Sequence, residues 1–174
     1  MRAGRFNLVD KSTIVYNALV VLIIILFSQR IPSWHRIILV NLGVIAAILF
    51  LFSRVTEESH HALRLLRSFY PMFFFFVAYE QTGRMNRIFF KEFLDPAFQK
   101  LEYQVFGFQP ALAFAGHLPQ WRINECMHLA YFSYYLLFPS LGLLLYLKKT
   151  GDVFEAYMFT LCNSFYVYYL IYLA

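Results

Sequence analysis

Residues 14–27 read Ile14-Val15-Tyr16-Asn17-Ala18-Leu19-Val20-Val21-Leu22-Ile23-Ile24-Ile25-Leu26-Phe27, an apolar run without a single charge. A stretch of this kind fits a membrane more readily than a soluble core, since about 20 such residues cross a bilayer as a helix. The composition of the rest agrees. The chain has 174 residues, of which 60% are hydrophobic, 21% aromatic and only 14% charged, well below the roughly 25% charged that soluble domains carry. That balance excludes a disordered tail and an ordinary soluble enzyme. The formal net charge of +5 is distributed between apolar runs instead of gathering on one polar face, so no nucleic-acid partner is expected.

Four further apolar stretches follow, giving an all-α, polytopic transmembrane bundle of about five spans within a single membrane domain. The spans are 14–28, 37–53, 62–79, 127–147 and 154–174. Gln29-Arg30-Ile31-Pro32-Ser33-Trp34-His35-Arg36 joins the first two as a hairpin turn with a proline stop and an interfacial tryptophan. Arg64 and Arg67 sit in the first turns of the third span, where they are expected to snorkel to the headgroups, and Pro71 is expected to kink it. Lys148-Lys149-Thr150-Gly151-Asp152 forms a tight link between the last two.

Orientation follows from Lys and Arg beside the span ends. Arg2, Arg5, Lys11, Arg54, Arg64, Arg67, Lys148 and Lys149 fall on one side, against Arg30 and Arg36 in the short turn opposite. The five basic residues of the long segment lie mostly far from the span ends and weigh less. The N-terminus is therefore expected in the cytoplasm and the C-terminus outside.

The segment 80–125 is too long to be an unstructured linker in a compact protein, and it is assigned to the extracytoplasmic side. Asp95-Pro96 is a helix start, an N-cap carboxylate before a proline. Ala97, Phe98, Leu101 and Val105 repeat at helical spacing against Gln99, Lys100, Glu102 and Gln104, and Gly107 suits a left-handed stop. The pattern predicts an amphipathic helix, lying on the membrane surface or packed over the bundle mouth. Upstream, Ile88, Phe89, Phe90, Phe93 and Leu94 offer another apolar face. Downstream, Phe108 to Gly116 is too short, and too interrupted by Pro110, to span.

Candidate chemistry is sparse. Glu57-Glu58-Ser59-His60-His61 has the residue types of a weak metal site, but reads better as a solvated loop with a capping serine. His35 and His128 read as interfacial, and His117 sits in a Gly/Pro-shaped turn. Glu80, Asp95, Glu102 and Glu125 face Arg84, Arg87 and Arg122 either as ion pairs closing the bundle mouth or as a vestibule for a lipid headgroup. Arg122 and Glu125 are the candidate substrate-binding residues. The tyrosines of the last two spans read as aromatic belt and helix packing. Cys126 and Cys162 make no CxxC pair and read as buried thiols. No metal or other cofactor is implied.

Arg67-Ser68-Phe69-Tyr70-Pro71 is followed by Asp95 and Glu102, then Phe106-Gly107-Phe108-Gln109-Pro110. Trp121 with Asn124-Glu125 comes next, and Leu129-Ala130-Tyr131-Phe132-Ser133-Tyr134-Tyr135 runs into Phe138-Pro139. In this order, over roughly residues 60 to 174, the chain resembles the N-terminal part of the inositol phosphorylceramide synthase-like branch of the type-2 phosphatidic acid phosphatase superfamily. The resemblance implies a six-helix membrane enzyme that cleaves or transfers lipid phosphates without a metal. One histidine would attack phosphorus, a second would act as acid or base, and basic residues would hold the phosphate. It also implies a Gly-Pro-Arg-like turn after the fifth span, then a Pro-Ser-x-His element, then a second histidine with an aspartate. The five histidines here match none of those positions, and the sequence reads to Ile171-Tyr172-Leu173-Ala174 before any of them. The expectation is a front part without its catalytic histidines, to be completed by a missing C-terminal half or a partner chain. The alternative is a complete five-span protein that binds a lipid or a partner subunit without catalysis. A small transporter is disfavoured because the two halves show no inverted repeat.

Overall fold

The computed structural model describes residues 6–51, 54–56, 58–86, 88–89, 95–117, 121–148 and 151–173. Everything regular among them is helical. In chain order the helices are α1 (Leu8–Leu26), α2 (Trp34–Ala46), α3 (His61–Met85), α4 (Asp95–Phe106), α5 (Pro110–His117), α6 (Trp121–Leu147) and α7 (Gly151–Leu173). A 3-10 turn at Ser28–Arg30 follows α1, and a π-helical turn at Ala47–Leu51 extends α2. The expected apolar face at Phe90, Phe93 and Leu94 lies outside the described residues, as do Arg2, Arg5, Glu57, Arg87 and the link at Lys149 and Thr150.

Two of these helices, α1 and α6, are long and apolar enough to cross a membrane, and Trp34–Phe50 is a shorter apolar helix. The boundaries differ from the sequence expectation chiefly at helix starts. Helix α1 begins at Leu8 rather than near Ile14. Asn7 caps it, its side chain accepting from the Asp10 amide at 2.8 Å while the Asp10 carboxylate accepts from the Asn7 amide at 3.1 Å. This reciprocal capping box adds a polar turn and a half that hydropathy alone does not count. Helix α3 continues to Met85, past the expected end at Tyr79, and runs through Pro71 as one helix with the proline buried. Helix α6 begins at Trp121, six residues before the apolar run.

The chain divides into two compact units. The first comprises residues 1–90 and 144–174. Its contacts fix the helix directions. Asp10 meets Arg67 and Tyr70, and Tyr16 meets Phe74, so α1 and α3 run parallel. Phe154 lies against Phe69 and Phe165 against Phe75, so α7 runs the same way. Arg30 reaches Ile88 while Asn41 reaches Gln81, so α2 runs opposite to α3. The core between them holds Val20, Ile24, Ile37, Phe74, Ala78, Met158 and Tyr166.

The second unit, residues 91–143, holds α4, α5 and most of α6. Helix α4 starts at Asp95 and stops as expected: Gly107 has φ +74°, a left-handed conformation, and its amide donates to the Tyr103 carbonyl at 2.9 Å. Pro110 does not interrupt a segment here but opens α5, where a missing amide proton costs nothing.

Candidate functional site

The most elaborate polar constellation lies inside the first unit, at the common N-terminal end of α1 and α3. Helix α1 places Asp10 one turn from its start, and the side chain is fully buried. Arg67 of α3 clasps it with both terminal nitrogens. Nη1 donates to Oδ1 at 2.7 Å and Nη2 to Oδ2. The Tyr70 hydroxyl, one turn further along α3, donates to Oδ1 at 2.8 Å. With the Asn7 amide on Oδ2, the carboxylate accepts four donors. Its place in the first turn of α1 adds the favourable helix dipole, and the planar guanidinium matches the carboxylate fork.

A second layer sits one turn deeper. The Thr13 hydroxyl uses its one proton on the Val9 carbonyl at 2.8 Å. The Tyr166 hydroxyl of α7, 2.9 Å from Thr13 Oγ1, is then the donor of that pair. The Tyr166 ring stacks on Tyr16 with centroids 4.3 Å apart. The Leu8 amide donates to Glu155 of α7 at 3.4 Å. Deeper still, Asn41 Nδ2 donates to the Gln81 side-chain oxygen Oε1 at 2.9 Å. Asn17 Oδ1, Asn41 Oδ1 and Gln81 Nε2 are buried without a hydrogen-bond partner among the described residues.

Chemically, the Asp10 centre is a clamp. A carboxylate with every lone-pair direction occupied has no capacity left to act as nucleophile or base, whereas the same contacts tie α1 to α3. This corrects the expectation for Arg67. It does not reach out to headgroups, because a buried carboxylate on α1 offers a stronger partner than water does; its side chain is 11% exposed. Asp10 is a residue that hydropathy reading misses, although the spacing Asn7-x-x-Asp10 before an apolar run carries the capping-box signal.

The site residues singled out in sequence make none of the hydrogen bonds of this centre. Arg122 and Glu125 lie exposed on the first turns of α6, with the Arg122 guanidinium 5.8 Å from the centroid of the Trp121 ring. Neither forms an ion pair among the described residues. Of the expected pairs across residues 80–125, Glu80 and Arg84 meet, at 2.5 Å, as neighbours on α3. His60 caps α3, its Nδ1 accepting from the Ala62 amide at 3.3 Å, while Ser59 accepts from the Thr56 amide at 2.9 Å. The serine therefore closes the preceding turn and the histidine caps the helix. His35 lies edge-on to Trp34 and His128 is exposed on α6; His117 ends α5, and its side chain lies outside the described residues. No three His, Cys, Asp or Glu side chains gather among the described residues as a metal site requires. Cys162 is buried as expected, but Cys126 is exposed.

Comparison with known proteins adds nothing to this geometry: no family model, curated protein or solved structure matches the chain.

Proposed function

We propose that this chain is a five-span membrane protein of lipid-phosphate chemistry, similar to the inositol phosphorylceramide synthase-like branch, whose phosphate-handling histidines lie outside the 174 residues. The spans are α1, α2 with its π turn, α3, α6 and α7. The N-terminus is cytoplasmic, the C-terminus is extracytoplasmic, and α4 is an interfacial helix on the outer side. In this reading the chain supplies the helical frame, and the Asp10–Arg67–Tyr70 clamp fixes that frame without taking part in phosphate transfer.

The observation that carries the membrane part is the inverted polarity of α1. Its buried stripe includes Asp10, Thr13 and Asn17, each at 0% exposure, while Val15, Leu22, Ile25 and Leu26 are 53–68% exposed. Water as solvent favours the opposite arrangement. A hydrocarbon surround requires polar groups to turn inward and be paired there. The lipid-phosphate part rests on the ordered motifs from Arg67 to Pro139.

Two measurements test the reading. Reconstituted in vesicles containing phosphatidic acid, the 174-residue chain is expected to release no phosphate; release by this chain alone overturns the placement of the histidines outside it. The source DNA beyond codon 174 is expected to encode a Pro-Ser-x-His element within a further span. A stop codon followed by no such span overturns the family assignment.

A further inference from the structure

Two side-chain amides meet in the interior of the first unit, Asn41 of α2 at 0% exposure and Gln81 of α3 at 7%. Their neighbours along the buried stripes are apolar: Ile37 and Ile48 on α2, Ala78 and Met85 on α3. Thr82, next to Gln81, is also buried, but its hydroxyl bonds back to the Ala78 carbonyl at 2.9 Å and needs no other partner. Amides in such surroundings are costly unless each polar atom is paired.

The pair has hydrogen-bonding capacity left over. Asn41 Nδ2 carries two protons and uses both, one on the Ile37 carbonyl at 2.7 Å and one on Gln81 Oε1 at 2.9 Å. Asn41 Oδ1 remains as an acceptor and Gln81 Nε2 as a donor, each buried and without a partner among the described residues. The return bond from Nε2 to Oδ1, which would close the two amides into a ring, is not made. An orphaned donor and an orphaned acceptor therefore sit on two amides that are bonded directly to each other.

That combination selects the chemistry of an occupant. A cation would suit Oδ1 but be repelled by the two Nε2 protons, and an anion would meet the reverse. A neutral molecule that accepts from Nε2 and donates to Oδ1 satisfies both. Size narrows the choice further. Toward the α1–α2 turn the pair is flanked by Ile37, Met85 and Ile88, and on the other side by Ala78 and Phe74, all at most 5% exposed and all in one apolar core. A molecule as small as water fits such an enclosure, and polar groups left over by side chains are where interior water binds.

We infer that Asn41 and Gln81 form an enclosed site for one water molecule, which accepts from Gln81 Nε2, donates to Asn41 Oδ1 and so bridges α2 to α3. The water completes the ring that the two amides leave open. The contact between α2 and α3 at this level then depends on a bound molecule as well as on side chains. The site stands on the fold of the first unit and is independent of the lipid-phosphate reading.

Proton-detected solid-state NMR tests this on the full chain in lipid vesicles, with isotope labels on the side-chain nitrogens of asparagine and glutamine. Gln81→Met and Asn41→Leu identify the two signals by their loss. Should Gln81→Met fail to fold, replacing Gln29, Gln99, Gln104, Gln109 and Gln120 leaves Gln81 as the one labelled glutamine. Magnetisation is expected to pass from water protons to both amides. A water-soluble paramagnetic chelate is expected to broaden the signal of Gln29, which is exposed, and to leave Gln81 and Asn41 sharp. Absence of transfer at Gln81 overturns the site and leaves a ring closed directly between the amides. Transfer at Gln81 without transfer at Asn41 overturns the bridge. Broadening of Gln81 by the chelate overturns the enclosure, since bulk water then reaches the pair.

Discussion

Asp10 and Arg67 are separated by 57 positions and by a whole helical hairpin, yet each completes the other. Removing one member of such a buried pair leaves a charge in an apolar interior, which costs about 3–5 kcal/mol. Asp10→Ala and Arg67→Ala are each expected to lower the stability of the detergent-solubilised protein by that order, read from denaturant-induced loss of helicity. The apolar pair Asp10→Leu with Arg67→Met is expected to be less destabilising than either single change, since no charge is stranded. Additive losses in the double variant would refute the clamp. Of the two partners, Asp10 was not singled out in sequence, although the Asn7-x-x-Asp10 spacing carries a capping signal. Arg67 was visible as an anomaly, a cation in an apolar span, but its direction depended on a carboxylate that linear distance does not reveal.

Helix α1 uses its two faces in contrasting ways. Interior residues of α1 are polar because its inner stripe is clamped, capped and hydrogen-bonded to α3 and α7, and its outer stripe is aliphatic. Leu22→Arg on that outer stripe is expected to impair membrane insertion by about 2.5–3.5 kcal/mol, the cost of an arginine near the centre of a span. Carbonate extraction of membranes expressing the variant reads this directly. An exposed leucine of a water-soluble protein would accept the same change with no loss, and that result would refute the orientation of the stripe. Among the elements, the amphipathic α4 was legible almost to the residue, because its start at Asp95-Pro96 and its stop at Gly107 are local backbone chemistry. The starts of α1 and α6 were not. Hydropathy detects where apolar residues begin, whereas a helix begins at its cap, and here polar first turns precede both apolar runs.

Across the first unit, three parallel helices and one antiparallel helix set a simple side-to-side order. The N-terminal ends of α1, α3 and α7 share one side, and the turn between α1 and α2 lies on the other. Single cysteines in a chain carrying Cys126→Ala and Cys162→Ala test this in sealed vesicles. Gln29→Cys is expected to react with an impermeant reagent from the extracytoplasmic side, Glu58→Cys only from the cytoplasmic side, and a tag following Ala174 is expected outside. Labelling of Gln29→Cys and Glu58→Cys from the same side would refute the order. The apolar runs, the helix-forming content, the helix start at Asp95-Pro96 and the stop at Gly107 were determined by sequence alone, because each depends on residues within a few positions of one another. Which polar residues turn inward was decided only by the tertiary structure. Asp10, Asn17, Asn41, Gln81 and Tyr166 become interior when helices distant in sequence come side by side, and pairing across that distance is a property of the packed bundle and not of any one segment.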